Sequence, residues 1–182
     1  MQFIPTRIGE VVLIKPKIFG DSRGFFMETW QEEKFAAAGI PAKFVQENHS
    51  RSGQWTLRGM HYQVRQTQGK LVRVVRGRIF DVAVDLRASS PTFGQWVGAE
   101  LDDREHHMLW VPPGFAHGFL ALSESVDFLY SCTDFYAPQH ERALAWNDPR
   151  VGIEWPLPEG TEPLLAPKDQ AAPGIDRAEV FS

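Results

Sequence analysis

Arg58, His61, Tyr62, Gln63 and Lys70 crowd into one short stretch, LRGMHYQVRQTQGKLVRVVRGRIFDVAVD from Leu57 to Asp85, spaced by Gly59 and Gly69. A base that titrates near neutrality, two cations and a phenol are the parts of a proton-transfer site. The stretch ends in the clearest strand pattern of the chain. Phe80, Val82, Val84 and Leu86 fall on one face at period two, with Asp81 and Asp85 on the other. Arg76-Gly77 interrupts the apolar run just before that strand and predicts a hairpin turn.

The elements that must position these groups read as short strands and turns. Glu10 to Phe19 has a strand pattern broken by Pro16, hence an edge or bent strand. Asp21 to Glu28 is a turn entering another strand. Arg23 and Glu28 there read as a weak surface pair, although an arginine beside Gly24, Phe25 and Phe26 also suits a ligand. Gln31 to Gly39 (QEEKFAAAG) predicts one short helix, stopped by Gly39 and Pro41. Phe44 to Ser50 follows as a strand on which Gln46 and Asn48 share a face. A pocket wall and plain loop-end hydrogen bonding are equal readings of that pair, and His49 reads as surface. Trp96 to Leu101 and Met108 to Val111 predict strands flanking a charged loop, with His106-His107 an exposed pair beside it. Pro112 to Phe119 delivers His117 to a strand start, and Val126, Phe128 and Tyr130 share one strand face. Pro138 to Arg142 reads as a loop carrying Glu141. From Trp155 onward the Pro-rich sequence predicts an ordered tail centred on Lys168-Asp169. About ten short strands, one helix and no βαβ rhythm point to an antiparallel sandwich or barrel.

The 182 residues suit a single domain over 1–182, with 43% hydrophobic and 23% charged residues. A net charge of -4 supplies no bulk attraction for nucleic acid, though it permits a local basic pocket for a phosphorylated ligand. Cys132 is the only cysteine, so no intrachain disulfide forms, and its strand setting predicts a buried, inert thiol. No stretch reads as a signal peptide or membrane span, and the expectation is a cytoplasmic protein.

Paired histidines in a small β-barrel raise a metal site first. Metal-binding cupins carry Gly-x5-His-x-His-x3,4-Glu and one later histidine. Here His61 fills the first position, Gln63 replaces the second histidine, and Thr67-Gln68 stand where the glutamate belongs. Pro113-Gly114-x-x-His117 matches the later segment. Two of four ligands are missing, so the sequence resembles a cupin barrel without its metal site. Acid–base equipment remains. His61 can remove a proton, Lys70 can stabilise an enolate oxygen, Tyr130 can return a proton from another direction, and Asp169 can orient the imidazole. A base and an acid on opposite sides of one carbon is what an epimerase needs. Spacing alone does not show that these groups meet, and a satisfied core histidine is the competing reading of His61.

Taken together, the motifs resemble one family closely, the dTDP-4-dehydrorhamnose 3,5-epimerases (RmlC-type cupins). The matching runs are Phe19 to Glu28 (FGDSRGFFME), Phe44 to Ser50 (FVQENHS), Leu57 to Gln63 (LRGMHYQ), Gln68 to Val72 (QGKLV) and Val82 to Arg87 (VAVDLR). Ser90 to Gly94 (SPTFG), Pro113 to Phe119 (PGFAHGF), Tyr130, Pro138-x-x-Glu141, Trp146 to Pro149 (WNDP) and Leu165 to Asp169 (LAPKD) continue them in order. Met60 and Ala166 depart mildly from the family pattern, where leucine and serine are usual, and neither is a proposed proton carrier.

The resemblance implies a mainly β fold, the cupin double-stranded β-helix or jelly-roll barrel, with a short helix and an ordered C-terminal tail. It implies conversion of dTDP-4-dehydro-6-deoxy-D-glucose to dTDP-4-dehydro-L-rhamnose by epimerisation at C3 and C5, with no metal and no cofactor. His61 would be the general base assisted by Asp169, Tyr130 the general acid, and Lys70 the partner of the enolate oxygen. Substrate-binding roles fall on Arg23, Glu28, Gln46, Glu47, Asn48, Arg58, Lys70, His117, Glu141 and Lys168, with Phe19 and Phe26 stacking around the nucleotide. The family also implies a homodimer that exchanges an N-terminal strand. The competing readings are an epimerase acting only at C3 or only at C5, a ketoisomerase, a non-catalytic nucleotide-sugar-binding cupin, and a metal-dependent dioxygenase.

Overall fold

The apolar alternation of the sequence becomes two antiparallel sheets facing each other in the computed structural model, which describes residues 1–40 and 43–182. In chain order the strands are β1 (Gln2–Pro5), β2 (Val12–Lys15), β3 (Ile18–Asp21), β4 (Gly24–Met27), β5 (Gln46–Gly53), β6 (Leu57–Gln63) and β7 (Lys70–Arg76). They continue as β8 (Arg78–Asp85), β9 (Trp96–Asp102), β10 (Met108–Val111), β11 (Phe115–Ala121), β12 (Ser125–Cys132) and β13 (Glu141–Ala143). Helix α1 spans Glu32–Ala37 and α2 spans Pro167–Gln170. One sheet has the order β1-β2-β10-β7-β12-β5, the other β13-β6-β11-β8-β9. Strands from distant parts of the chain alternate across the two sheets, the jelly-roll arrangement. None of the described helices is long and apolar enough to cross a membrane.

Between the sheets lies a core of Val72, Val74, Ile79, Ala83, Phe119, Val126 and Phe128. A second layer covers the outer face of the five-stranded sheet. There Val82, Val84 and Leu86 pack under Val151, Ile175 and Phe181 of the C-terminal segment. Strand β8 is therefore buried on both faces. Its inward face carries Ile79, Asp81 and Ala83, so the apolar face of the sequence pattern lies beneath the tail. Asp148 pins that tail by accepting hydrogen bonds from the N–H groups of Arg150, Val151 and Ile175.

Several local expectations change. Arg76-Gly77 makes no hairpin, because β7 and β8 belong to different sheets and Gly77 turns the corner between them. Its φ is +83° and an added Cβ would lie 2.4 Å from the Ser125 carbonyl, so this corner needs glycine. Pro138–His140 forms a 3-10 turn, and Glu141 opens β13, which pairs with β6. The Glu10–Phe19 pattern divides at Pro16-Lys17 into β2 and the start of β3. Gln31 caps α1 by accepting from the Lys34 N–H at 2.6 Å, while Pro41 lies outside the described residues.

Strands β3 and β4 form a separate two-stranded hairpin. Phe19, Phe25 and Phe26 on it are all exposed, Phe26 at 69%. Among the described residues its aromatic contact to the barrel is Phe25 against His106, at 4.7 Å between centroids.

Candidate active site

Strands of both sheets and the tail converge on a cavity of about 580 Å³ inside the barrel. Strand β6 contributes His61, β7 Lys70, β11 His117 and β12 Tyr130, while β5 lines one wall with Gln46 and Asn48. Alternation explains this set. On β12, Phe128, Tyr130 and Cys132 point inward with the core, opposite Ser50, Asn48 and Gln46 of β5 and Val74, Val72 and Lys70 of β7. On the facing sheet, His61 is the register partner of His117.

The sharpest contact links β6 to the tail. His61 Nε2 lies 2.6 Å from Asp169 Oδ1, and the Gly59 N–H donates to the other carboxylate oxygen at 3.4 Å. Gly59 is required there. Its φ is +143°, and a Cβ would sit 2.6 Å from the Gly118 Cα on the adjacent strand. Burial pushes the Asp169 carboxyl up, but the imidazole and the Gly59 N–H outweigh it and hold the group below the usual carboxylate range. Asp169 is therefore ionised, buried and aimed at His61. Because Nε2 meets the carboxylate, Nδ1 is the nitrogen able to take a proton.

The opposite wall carries Tyr130 and Lys70. Burial pushes the Tyr130 phenol above its ordinary value, so the group remains an acid through neutral pH. Lys70 is buried, its Nζ 3.4 Å from the His61 carbonyl oxygen, and burial lowers its pKa. In its protonated form such a lysine, short of solvent and of strong partners, can meet a developing oxyanion.

A second carboxylate–imidazole pair lies deeper. His117 Nε2 is 3.0 Å from both oxygens of Asp81, whose residue is fully buried. Burial raises the Asp81 pKa against the lowering pull of His117 and Lys70. The sequence pattern does not single out Asp81, because an aspartate alternating with valines looks like a solvent face. At the rim, Glu141 accepts from the Lys168 ammonium at 2.9 Å and the Tyr136 hydroxyl at 3.2 Å. Arg58 donates to Ser52 Oγ at 2.9 Å and to the Arg51 carbonyl at 3.1 Å. Tyr136 is a further cavity residue, one that no motif of the sequence singles out.

The metal-cupin positions are otherwise engaged. Gln63, in place of a second histidine, donates to the Gln66 and Phe135 carbonyls and accepts from the Ala137 N–H. Among the described residues no group of three or more His, Cys, Asp or Glu side chains is placed to share an ion. Cys132 is buried, and burial pushes its thiol up.

Some expected residues stay outside the cavity of their own chain. Arg23 pairs with Asp21 and Glu28 with Lys34 at 2.7 Å, so the two do not pair with each other. Phe19 and Arg23 flank the outlying hairpin with Phe26. The Glu47 side chain faces outward and accepts from Ser131 Oγ at 3.0 Å. Gln46, Asn48, Arg58, Lys70, His117, Glu141 and Lys168 all line the cavity beside His61, Tyr130 and Asp169.

Two facing antiparallel sheets that enclose the site make the fold a cupin-type jelly-roll barrel. The sequence model of dTDP-4-dehydrorhamnose 3,5-epimerase matches residues 5–177. The chain is 54% identical over 175 residues to a dTDP-4-dehydrorhamnose 3,5-epimerase of Pseudomonas aeruginosa, covering 96% of each. Its fold is similar, with a TM-score of 0.93 and 50% identity, to the Legionella pneumophila epimerase in complex with dTDP-4-keto-L-rhamnose, covering 97% of this chain and 93% of that one. A 3'-monoepimerase of Streptomyces bikiniensis, solved with dTDP-quinovose, is similar at 34% identity and a TM-score of 0.88, over 94% and 87% of the two chains. The chain belongs to the dTDP-4-dehydrorhamnose 3,5-epimerase family.

Proposed function

We propose that this protein epimerises C3 and C5 of dTDP-4-dehydro-6-deoxy-D-glucose, giving dTDP-4-dehydro-L-rhamnose. The observation that carries the reading is the 2.6 Å His61–Asp169 pair sharing one cavity with Tyr130 and Lys70. Both target carbons flank the C4 ketone, so each C–H is acidified by the carbonyl. His61 Nδ1 takes the proton, and the ionised Asp169 stabilises the imidazolium that results. The C–H electron pair moves into the ring and charge collects on the C4 oxygen, where the Lys70 ammonium offsets it. The Tyr130 phenol returns a proton to the opposite face, and the enolate electrons close the new C–H bond. No electrons leave the substrate, so the step requires no redox cofactor. The higher identity to the 3,5-epimerases than to the 3'-monoepimerase supports double rather than single epimerisation.

The hairpin supports an assembly to match. Phe19, Arg23, Phe26 and Glu28 lie outside their own cavity, with Arg23 at 88% side-chain exposure. We read the working unit as a two-fold homodimer in which each β3–β4 hairpin reaches the other subunit's cavity and brings these residues to the nucleotide.

The test is NMR of the substrate in D₂O with purified protein. Deuterium at both C3 and C5 is expected, with L-configured product trapped by a downstream reductase. Label at a single carbon would replace the assignment with a monoepimerase. Absence of exchange alongside tight dTDP binding would leave only a nucleotide-sugar binder.

A further inference from the structure

Four side chains of β5 face the barrel interior at period two: Gln46, Asn48, Ser50 and Ser52. Three have polar partners. Gln46 donates to Asn48 Oδ1 at 3.0 Å and accepts from the Tyr136 N–H at 2.9 Å. Asn48 donates weakly to Cys132 Sγ at 3.7 Å. Ser52 accepts from Arg58 Nε at 2.9 Å. Ser50 alone is left over. Its Oγ is buried and without a hydrogen-bond partner among the described residues, yet Ser50 lines the cavity with His61 and Tyr130. The register places it opposite Phe128, one inward position from the Asn48–Tyr130 pair.

A buried hydroxyl with no partner is destabilising, and alanine at the same place would bury its methyl against Phe128 without that cost. The surrounding wall is apolar on the Phe128 and Phe119 side, so the fold itself does not call for a hydroxyl there. From this orphaned oxygen we infer that Ser50 is a further substrate-positioning residue, which hydrogen-bonds an oxygen of the sugar ring when the cavity is filled. The sugar half is favoured over the diphosphate on two grounds. Ser50 carries no charge, and it stands on the same wall as the acid Tyr130, whereas Arg58 and Lys168 are the cavity cations left for the diphosphate once Lys70 is assigned to the enolate oxygen. A neutral hydroxyl suits a hydroxyl or keto oxygen, and phosphate oxygens are better met by the cations. This inference rests on the epimerase reading above, because it assigns the sugar half to the region around His61 and Tyr130.

The experiment compares wild type with Ser50→Ala and Ser50→Thr. It measures kcat/KM for the dTDP-4-dehydro sugar, the Kd of dTDP alone, and Tm. Ser50→Ala is expected to lower kcat/KM about tenfold, as loss of one substrate hydrogen bond does. Its Kd for dTDP should stay within twofold of wild type, and its Tm should be no lower. Ser50→Thr, which keeps the hydroxyl, should retain more activity than Ser50→Ala. The tenfold loss together with an unchanged dTDP affinity supports the sugar contact. Equal weakening of dTDP would place the contact on the nucleotide and overturn the inference, as would an unaltered kcat/KM. Because wild type is assayed alongside, inactivity of the wild-type protein would signal failure of the epimerase reading and not of the Ser50 assignment.

Discussion

Replacing Asp169 with asparagine keeps the size of the side chain and removes its charge at the 2.6 Å contact with His61. In the proposed mechanism His61 takes the substrate proton, and wild type then has a full carboxylate–imidazolium attraction. At an effective dielectric near 20 and charge centres about 4 Å apart, that is worth about 4 kcal/mol. The amide returns about 1 kcal/mol as an ordinary hydrogen bond. The difference of about 3 kcal/mol corresponds to a fall in kcat of about a hundredfold. Asparagine also has one acceptor where the carboxylate has two, so it cannot accept from both Nε2 and the Gly59 N–H. Stopped assays coupled to a reductase measure kcat, and dTDP titration shows whether the cavity is intact. The sign of the stability effect is fixed by linkage. Asp169 is held below its unfolded pKa, so its contribution is present above about pH 4 and is lost as pH falls through the folded value. The Tm gap between wild type and Asp169→Asn should therefore be widest near neutrality and shrink in acid. A kcat within threefold of wild type, with normal dTDP affinity, would refute the idea that the carboxylate supports the base.

Lys70→Met should remove activity, by about a hundredfold or more in kcat, without lowering Tm. Burial disfavours the Lys70 cation, so a methionine of similar volume relieves a cost of folding; a large drop in Tm would show that the lysine is structural. Asp85 is fully buried and held at about 2 by Arg87, Ser90 and Thr92 against its burial. Asp85→Asn should cost about 2 kcal/mol in urea unfolding at pH 7, and the difference should disappear between about pH 4 and pH 2. Finally, co-expressing Arg23→Ala with His61→Asn tests the hairpin. If Arg23 acts in the partner's cavity, random pairing makes half the dimers mixed, each with one intact site. Activity should then recover to about a quarter of wild type. Recovery absent from purified mixed dimers would return Arg23 to its own chain.

The sequence exposes those parts of the site that are short-range. His61 and Lys70 stand nine residues apart on β6 and β7, each in a motif with glycine spacing, and Tyr130 shares an apolar alternation that any strand reading finds. The contact that backs His61 with a carboxylate joins residues 108 positions apart. It depends on a Pro-rich tail that has no periodicity to announce where it lies. Gly77 shows the same limit at a turn, since a glycine with positive φ serves a hairpin and a corner between sheets equally well.

Asp81 shows why a solvent-face reading fails inside a jelly roll. The rule that a strand's polar face is its wet face assumes one buried face. Strand β8 breaks that assumption, because the C-terminal segment buries Val82, Val84 and Leu86 from outside. The face left for the barrel interior is then free to carry an aspartate, provided a partner satisfies it, and His117 does so at 3.0 Å. The tail thus has two effects on the site. It delivers Asp169 directly to His61, and by taking over the apolar face of β8 it allows the inner face to be polar. An unperiodic tail and a charged residue alternating with valines are, in this fold, two traces of one arrangement.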